Sequence, residues 1–247
     1  MSRKDISIPT PDGEARASVI TPDSGAGPWP AVILFMDGPG IRPALFEMGQ
    51  RLANHGYYVL LPDMFWRIPP YEPIDMKAMA DDPAKRAEFF GVRVASTNPA
   101  RATADTQAFL DFLSKQPEVK GTKVGTTGYC MGGAMSLRAA GLFPDRVAAA
   151  AAFHGGGLAT DAEDSPHRVV PKIKGEVLVA AAENDPYFPQ EQFVRLGEAF
   201  KAAGTKAELV EYPALHGFAP PDMRVYDREA SERHWREMLA LFDRNLK

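Results

Sequence analysis

One pentapeptide, Gly128-Tyr129-Cys130-Met131-Gly132, constrains this chain more than any other stretch, and it holds the only cysteine. A strand-like run, Lys123-Val124-Gly125-Thr126-Thr127, leads into it, and a helix-like run over 133–140 leads out. A side chain at the apex of such a turn sits in strained backbone, and flanking glycines let the neighbouring strand and helix approach. The helix that follows aims its free N–H groups and positive dipole end at the sulfur, which favours thiolate. A lone cysteine is otherwise most often a buried, inert core residue. The strand–turn–helix setting points instead to a nucleophile.

A chain of 247 residues suits one domain of the larger α/β kind, spanning 1–247. Its net charge of −4 offers no footprint for nucleic acid. No apolar run is long enough to span a bilayer, and the basic N-terminus lacks the apolar stretch of a secretory signal. One cysteine excludes an intramolecular disulfide and a multi-cysteine metal site. No histidine and carboxylate spacing matches a zinc or dinuclear site, so no metal is expected. A reactive thiol is at home in a reducing compartment, and the cytoplasm is the expected location. Nothing in the sequence sets an oligomeric state.

Along the chain, residues 1–24 read as a polar hairpin or edge segment. Continuous apolar runs at 30–36, 57–63, 147–154 and 177–182 read as strands buried on both faces of a parallel sheet. Helical periodicity is expected at 43–54, 99–115, 193–203 and through the C-terminal segment holding Trp235, Met238, Leu239, Phe242 and Leu246. The alternating 207–212 run reads as a strand near a sheet edge. Residues 64–100, rich in aromatics, Met and Pro, are too long for an ordinary connection and read as a lid-like or pocket-lining excursion, with a charged helix near 81–90. Strands alternating with helices predict a doubly wound, mostly parallel sheet with helices on both faces.

Strand, sharp Gly-x-nucleophile-x-Gly turn and helix together form the nucleophile elbow of α/β-hydrolases, here with Cys in place of Ser. That architecture needs an acid and then a histidine later in the chain, each on a loop after a strand. Asp185 follows the 177–182 strand and His216 follows the 207–212 strand. Asp185 would fix the tautomer of His216, and His216 would take the thiol proton. Glu183 is a rival acid. His154, at the end of a central strand, is the main rival base, although it precedes the acid. His55, His167 and His234 are lesser rivals. Two backbone N–H groups, of Met131 and of Gly38 in the Asp37-Gly38-Pro39-Gly40 loop, are expected to form the oxyanion hole.

These segments resemble the dienelactone hydrolases (carboxymethylenebutenolidases), cysteine members of the α/β-hydrolase superfamily. The resemblance covers nearly the whole chain. It rests on Gly128-Tyr129-Cys130-Met131-Gly132-Gly133, on Asp185-Pro186-Tyr187-Phe188-Pro189, on Tyr212-Pro213-Ala214-Leu215-His216-Gly217-Phe218, and on the stretch from Gly56 to Arg67. It implies the α/β-hydrolase fold, a Cys130-His216-Asp185 triad without cofactor, and opening of small carboxylate-bearing lactones in aromatic compound degradation. It also implies that an early-loop carboxylate tunes the thiol. Asp37 holds that position, one methylene shorter than the usual Glu. Arginines from the excursion and from beyond the catalytic histidine bind the substrate carboxylate in the family, and Arg86 and Arg224 are the nearest matches.

The expected activity is hydrolysis of a small lactone or carboxylic ester through an acyl-cysteine. The alternatives are an esterase or thioesterase of unrelated substrate on the same scaffold, and a non-hydrolytic thiol-reactive or ligand-binding protein.

Overall fold

The computed structural model describes residues 2–72 and 82–247, apart from the side chains of Lys85, Arg86 and Val94. Eight strands form one sheet: β1 (Ser2–Thr10), β2 (Gly13–Thr21), β3 (Trp29–Phe35), β4 (Tyr58–Pro62), β5 (Val119–Tyr129), β6 (Val147–Phe153), β7 (Glu176–Ala182) and β8 (Ala207–Tyr212). Their order is β1-β2-β4-β3-β5-β6-β7-β8. The first two strands form an antiparallel hairpin, β2 pairs antiparallel with β4, and every pairing from β4 to β8 is parallel. The sheet is thus mostly parallel, as the alternating pattern predicts, and β8 is its edge.

The helices are α1 (Pro43–Asn54), α2 (Pro83–Ser96), α3 (Pro99–Leu113), α4 (Met131–Leu142), α5 (Gln190–Ala203) and α6 (Arg228–Leu246). They cover both faces of the sheet. On one face α1 and α6 are joined by paired bonds from Arg51 to Glu232, each 2.7 Å. Elsewhere α3 packs on α4, which packs on a 3₁₀ turn at Pro166–Lys172 that also meets α5.

Local chemistry accounts for these elements. Five consecutive alanines in β6 leave room for α4 and α6 to lie close to the sheet centre. Gly125 in β5 does the same on the α6 side, where a Cβ would come within 2.9 Å of Phe242 and Leu246. The side chain of Asn98 caps α3 by accepting from the Arg101 N–H, with Pro99 pre-set for the first turn. Gly204, at φ 64°, ends α5 in the left-handed conformation that glycine adopts most easily.

Three differences from the sequence reading have simple causes. Helix α2 runs on to Ser96, because no breaker intervenes before Asn98-Pro99. The 3₁₀ turn at Pro166–Lys172 falls where the sequence pattern marks no element, since Pro166 and Pro171 mask a short helix whose first position tolerates proline. Helix α5 begins at Gln190, three residues before the first apolar periodic position. The expected excursion at 64–100 is described only in part, since 73–81 lie outside the described residues.

Candidate active site

Cys130 lies between the last residue of β5 and the first of α4, at φ 53° and ψ −117°. A non-glycine residue there stores about 1–3 kcal/mol of backbone strain. The surroundings impose it. A Cβ on Gly128 would fall 2.1 Å from the Gly132 carbonyl oxygen, and one on Gly132 would fall 2.5 Å from the carbonyl oxygens of Phe35 and Met36. The elbow is therefore wedged against the end of β3, with Cys130 N–H donating to the Phe153 carbonyl at 3.2 Å. The thiol is partly exposed.

A second support stands behind the elbow. Tyr129 is fully buried, and its hydroxyl donates to Nε2 of His234 on α6 at 3.1 Å. The His234 Nδ1–H is held by the Ser231 carbonyl. Burial pushes the His234 ring down to about 3, so it is neutral and free to accept from the tyrosine. His234, a rival base in the sequence, thus braces the residue that precedes Cys130.

His216, on the loop after β8, places Nδ1 2.7 Å from Oδ2 of Asp185, on the loop after β7. The other carboxylate oxygen of Asp185 accepts from the Tyr187 N–H at 2.9 Å, so this buried acid is fixed at both ends. The Cys130 side chain is the other polar neighbour of the imidazole. Burial disfavours a charged ring, but Asp185 and Cys130 outweigh it and raise His216 to about 10. The loops after β7 and β8 thus bring Asp185 and His216 together, with Cys130 next to the ring.

The rivals fall elsewhere. Glu183 is exposed. His154 lies against the His216 ring, centroids 5.1 Å apart, yet both its nitrogens are buried with no partner among the described residues. Burial, with the neighbouring histidines, pushes it far below its ordinary range. His55 donates to the Arg51 carbonyl at 2.8 Å, and His167 pairs with Ser165 at the same distance.

Met131 opens α4, so its N–H lacks an intrahelical acceptor. Gly38 is buried three residues beyond the end of β3, the strand against which the elbow is wedged. It lies under Phe90 of α2, whose ring edge would be 2.9 Å from any Cβ there. Of the two expected oxyanion donors, Met131 thus belongs to the elbow itself and Gly38 to the loop after β3, the strand next to β5.

Asp37 is 2% exposed, and both its oxygens are held by Arg42, at 2.5 and 2.9 Å. Burial pushes this carboxyl above its ordinary range, and the guanidinium opposes the push. Arg42, itself 1% exposed, also bonds Asp222 beyond His216. The Arg86 side chain lies outside the described residues, and Arg224 is exposed.

Sequence reasoning missed Arg93 on α2. It is 5% exposed, with its guanidinium 3.4 Å from the Phe89 ring centroid and 4.1 Å from that of Tyr71. Its Nε and Nη1 are buried without a hydrogen-bond partner among the described residues. Burial lowers its affinity for the proton. The one available signal was the repeat of Phe89, Phe90 and Arg93 at helical spacing, which does not by itself say that the charge is enclosed. Two apolar side chains stand exposed, Tyr187 two residues after Asp185 and Leu215 directly before His216, and the Tyr187 ring centroid is 4.7 Å from that of His216.

Among the described residues no group of three or more His, Cys, Asp or Glu is placed to hold a metal ion. No helix of the described residues is long and apolar enough to cross a membrane.

Comparison with known proteins fits this geometry. Two curated relatives share the name "Putative carboxymethylenebutenolidase". That of Escherichia coli (strain K12) is 27% identical over 243 residues, covering 96% of this chain and 84% of its own. That of Synechocystis is 26% identical over 231 residues, covering 90% and 88%. A solved dienelactone hydrolase-like promiscuous phosphotriesterase from metagenomic libraries superposes with a TM-score of 0.79 at 25% identity, covering 100% of this chain and 99% of its own. The model of the dienelactone hydrolase family matches residues 15–246. With the match running from the hairpin to the end of α6, the chain belongs to the dienelactone hydrolase family of α/β-hydrolases.

Proposed function

We propose that this protein opens a small lactone or cleaves a small carboxylic ester through an acyl-cysteine on Cys130. The observation that carries the reading is the 2.7 Å bond between His216 and Asp185, with the Cys130 side chain as the ring's other polar neighbour. With His216 protonated at neutral pH, the sulfur has an imidazolium partner, the setting in which thiolates form. The thiolate adds to the acyl carbon, and the carbonyl electron pair moves onto oxygen, facing the N–H groups of Met131 and Gly38. Collapse breaks the bond to the leaving oxygen, which takes the His216 proton. In a lactone that oxygen stays tethered, so the ring opens. Neutral His216 then takes a proton from water, the hydroxide adds to the thioester, and the thiolate departs as the acid forms.

In this reading Arg93 receives the anionic group of the substrate, in place of Arg86 and Arg224. Asp37 acts on the thiol only weakly, because Arg42 already neutralises it. The exposed Tyr187 and Leu215 favour an apolar flank on the substrate. A small-molecule substrate and a reducing, cytoplasmic setting complete the proposal, with neither nucleic acid nor membrane involved.

The test is a parallel screen of lactones and aryl esters on the wild type and Cys130→Ala. Turnover should vanish in the variant with the fold intact, and the wild type should carry a transient acyl mass on Cys130. Substantial hydrolysis by Cys130→Ala would overturn the proposal.

A further inference from the structure

The mechanism above gives the buried guanidinium of Arg42 no task. Arg42 stands at the N-terminal boundary of α1 and is 1% exposed, yet all five of its N–H donors are used. Nη1 reaches Asp37 Oδ1 and the Gly40 carbonyl, and Nη2 reaches Asp37 Oδ2. Nε and Nη2 reach Asp222 at 2.6 and 3.1 Å. The first set of bonds closes the 37–42 loop around its own arginine, beside Gly38. The second crosses to a residue 180 positions away, on the loop that begins with His216.

That second loop is also tied elsewhere, by His216 to Asp185 and by the Ser231 hydroxyl of α6, which donates to the Ala219 carbonyl, and it is partly folded on itself. Its bonds run from Phe218 N–H to Leu215, from Met223 N–H to Pro220, and from Asp227 N–H to Phe218. Gly217, at φ 97°, lets the chain turn directly after the histidine. The Asp222 side chain is 35% exposed, so Arg42 grips the histidine loop by its outer edge.

We infer that Arg42 is a positioning residue, a clip that holds the Gly38 loop and the His216 loop in one register so that oxyanion donor and base meet the same acyl group. This inference rests on the cysteine-hydrolase reading. Two features favour it over a purely stabilising role. Burying a guanidinium with two carboxylates brings little net stability compared with apolar packing of the same volume. And the fork geometry, with two carboxylates each held by two nitrogens, dictates orientation in a way that a single point charge does not.

The test uses p-nitrophenyl acetate and two variants. Asp222→Asn removes only the exposed end of the clip, and Arg42→Lys keeps the charge but loses the fork. Expected for each is a fall in kcat of about tenfold, since small misplacements of reacting groups have costs of this order or larger. KM should stay within twofold, and the Tm of Asp222→Asn should hardly move. Alkylation of Cys130 by iodoacetamide should keep its wild-type rate, because the His216–Asp185 bond is untouched. The double variant should lose no more than the worse single one, as expected for parts of one device. A kcat of Asp222→Asn within twofold of wild type, or additive losses in the double variant, would overturn the inference. Failure of the underlying reading is distinguishable: in that case Cys130→Ala itself would retain turnover.

Discussion

At the scale of single residues, the site is a contest between burial and hydrogen bonding, and the neighbouring histidines His154 and His216 settle it differently. His154 is enclosed without partners and is driven neutral. His216 meets a fixed carboxylate and a sulfur, and is driven up to about 10. The same shift is a statement about stability. A group whose pKa rises on folding contributes stability that is full below its unfolded value, near 6.5, and is lost as pH rises through about 10. The Tm gap between wild type and His216→Gln should therefore be widest near pH 6 and close above pH 10. A gap independent of pH, followed by thermal unfolding across that range, would mean that the charged ring is not stabilised in the fold.

At the scale of elements, the elbow depends on contact between three backbone segments. The end of β3, the end of β5 and the start of α4 meet so closely that two positions admit no side chain at all. Gly128 is the stricter one, since its clash at 2.1 Å is with the backbone of Gly132 and no rotamer can relieve it. Gly128→Ala should either fail to fold or shift α4 and take Cys130 out of line. Soluble expression, circular dichroism and ester turnover would measure this, and a variant with wild-type Tm and wild-type kcat would contradict the described packing. Gly49 of α1 makes a useful contrast. Its hypothetical Cβ meets only the tip of Ile20, a flexible side chain that can move.

For the whole molecule, Cys130, Asp185 and His216 lie beyond the C-terminal ends of parallel strands, while the opposite end is closed by charge. Glu176, at the start of β7, accepts from Arg244 and Asn245 of α6 and pairs with Lys206 at 2.8 Å just before β8. The Arg244 bond, aided by Lys206 and Asn245 and opposed by burial, lowers Glu176 to about 2. A depressed carboxylate contributes stability that is present above its ordinary value, near 4.5, and is lost as pH falls through about 2. Glu176→Gln should thus lower Tm by a few degrees at pH 7, with the difference gone near pH 2 and kcat unchanged at room temperature. A Tm loss of equal size at both pH values would assign the effect to packing instead of charge.

What the sequence determined by itself is what local chemistry and chain order can carry. The glycines around Cys130 announced the strained turn, because no other residue fits there. The apolar runs announced the buried strands, because a strand covered on both faces has no polar side. Asp185 and His216 were legible because each follows a strand, and parallel strands bring their loops to one end of the sheet. Only the tertiary structure decided which side chains meet across the chain. The bridge from Arg42 to Asp222, the brace from His234 to Tyr129 and the enclosure of Arg93 between Tyr71 and Phe89 leave no periodic trace. A charged residue reads as solvent-facing until packing encloses it. Which carboxylate or ring it then finds depends on how separate loops settle over the sheet.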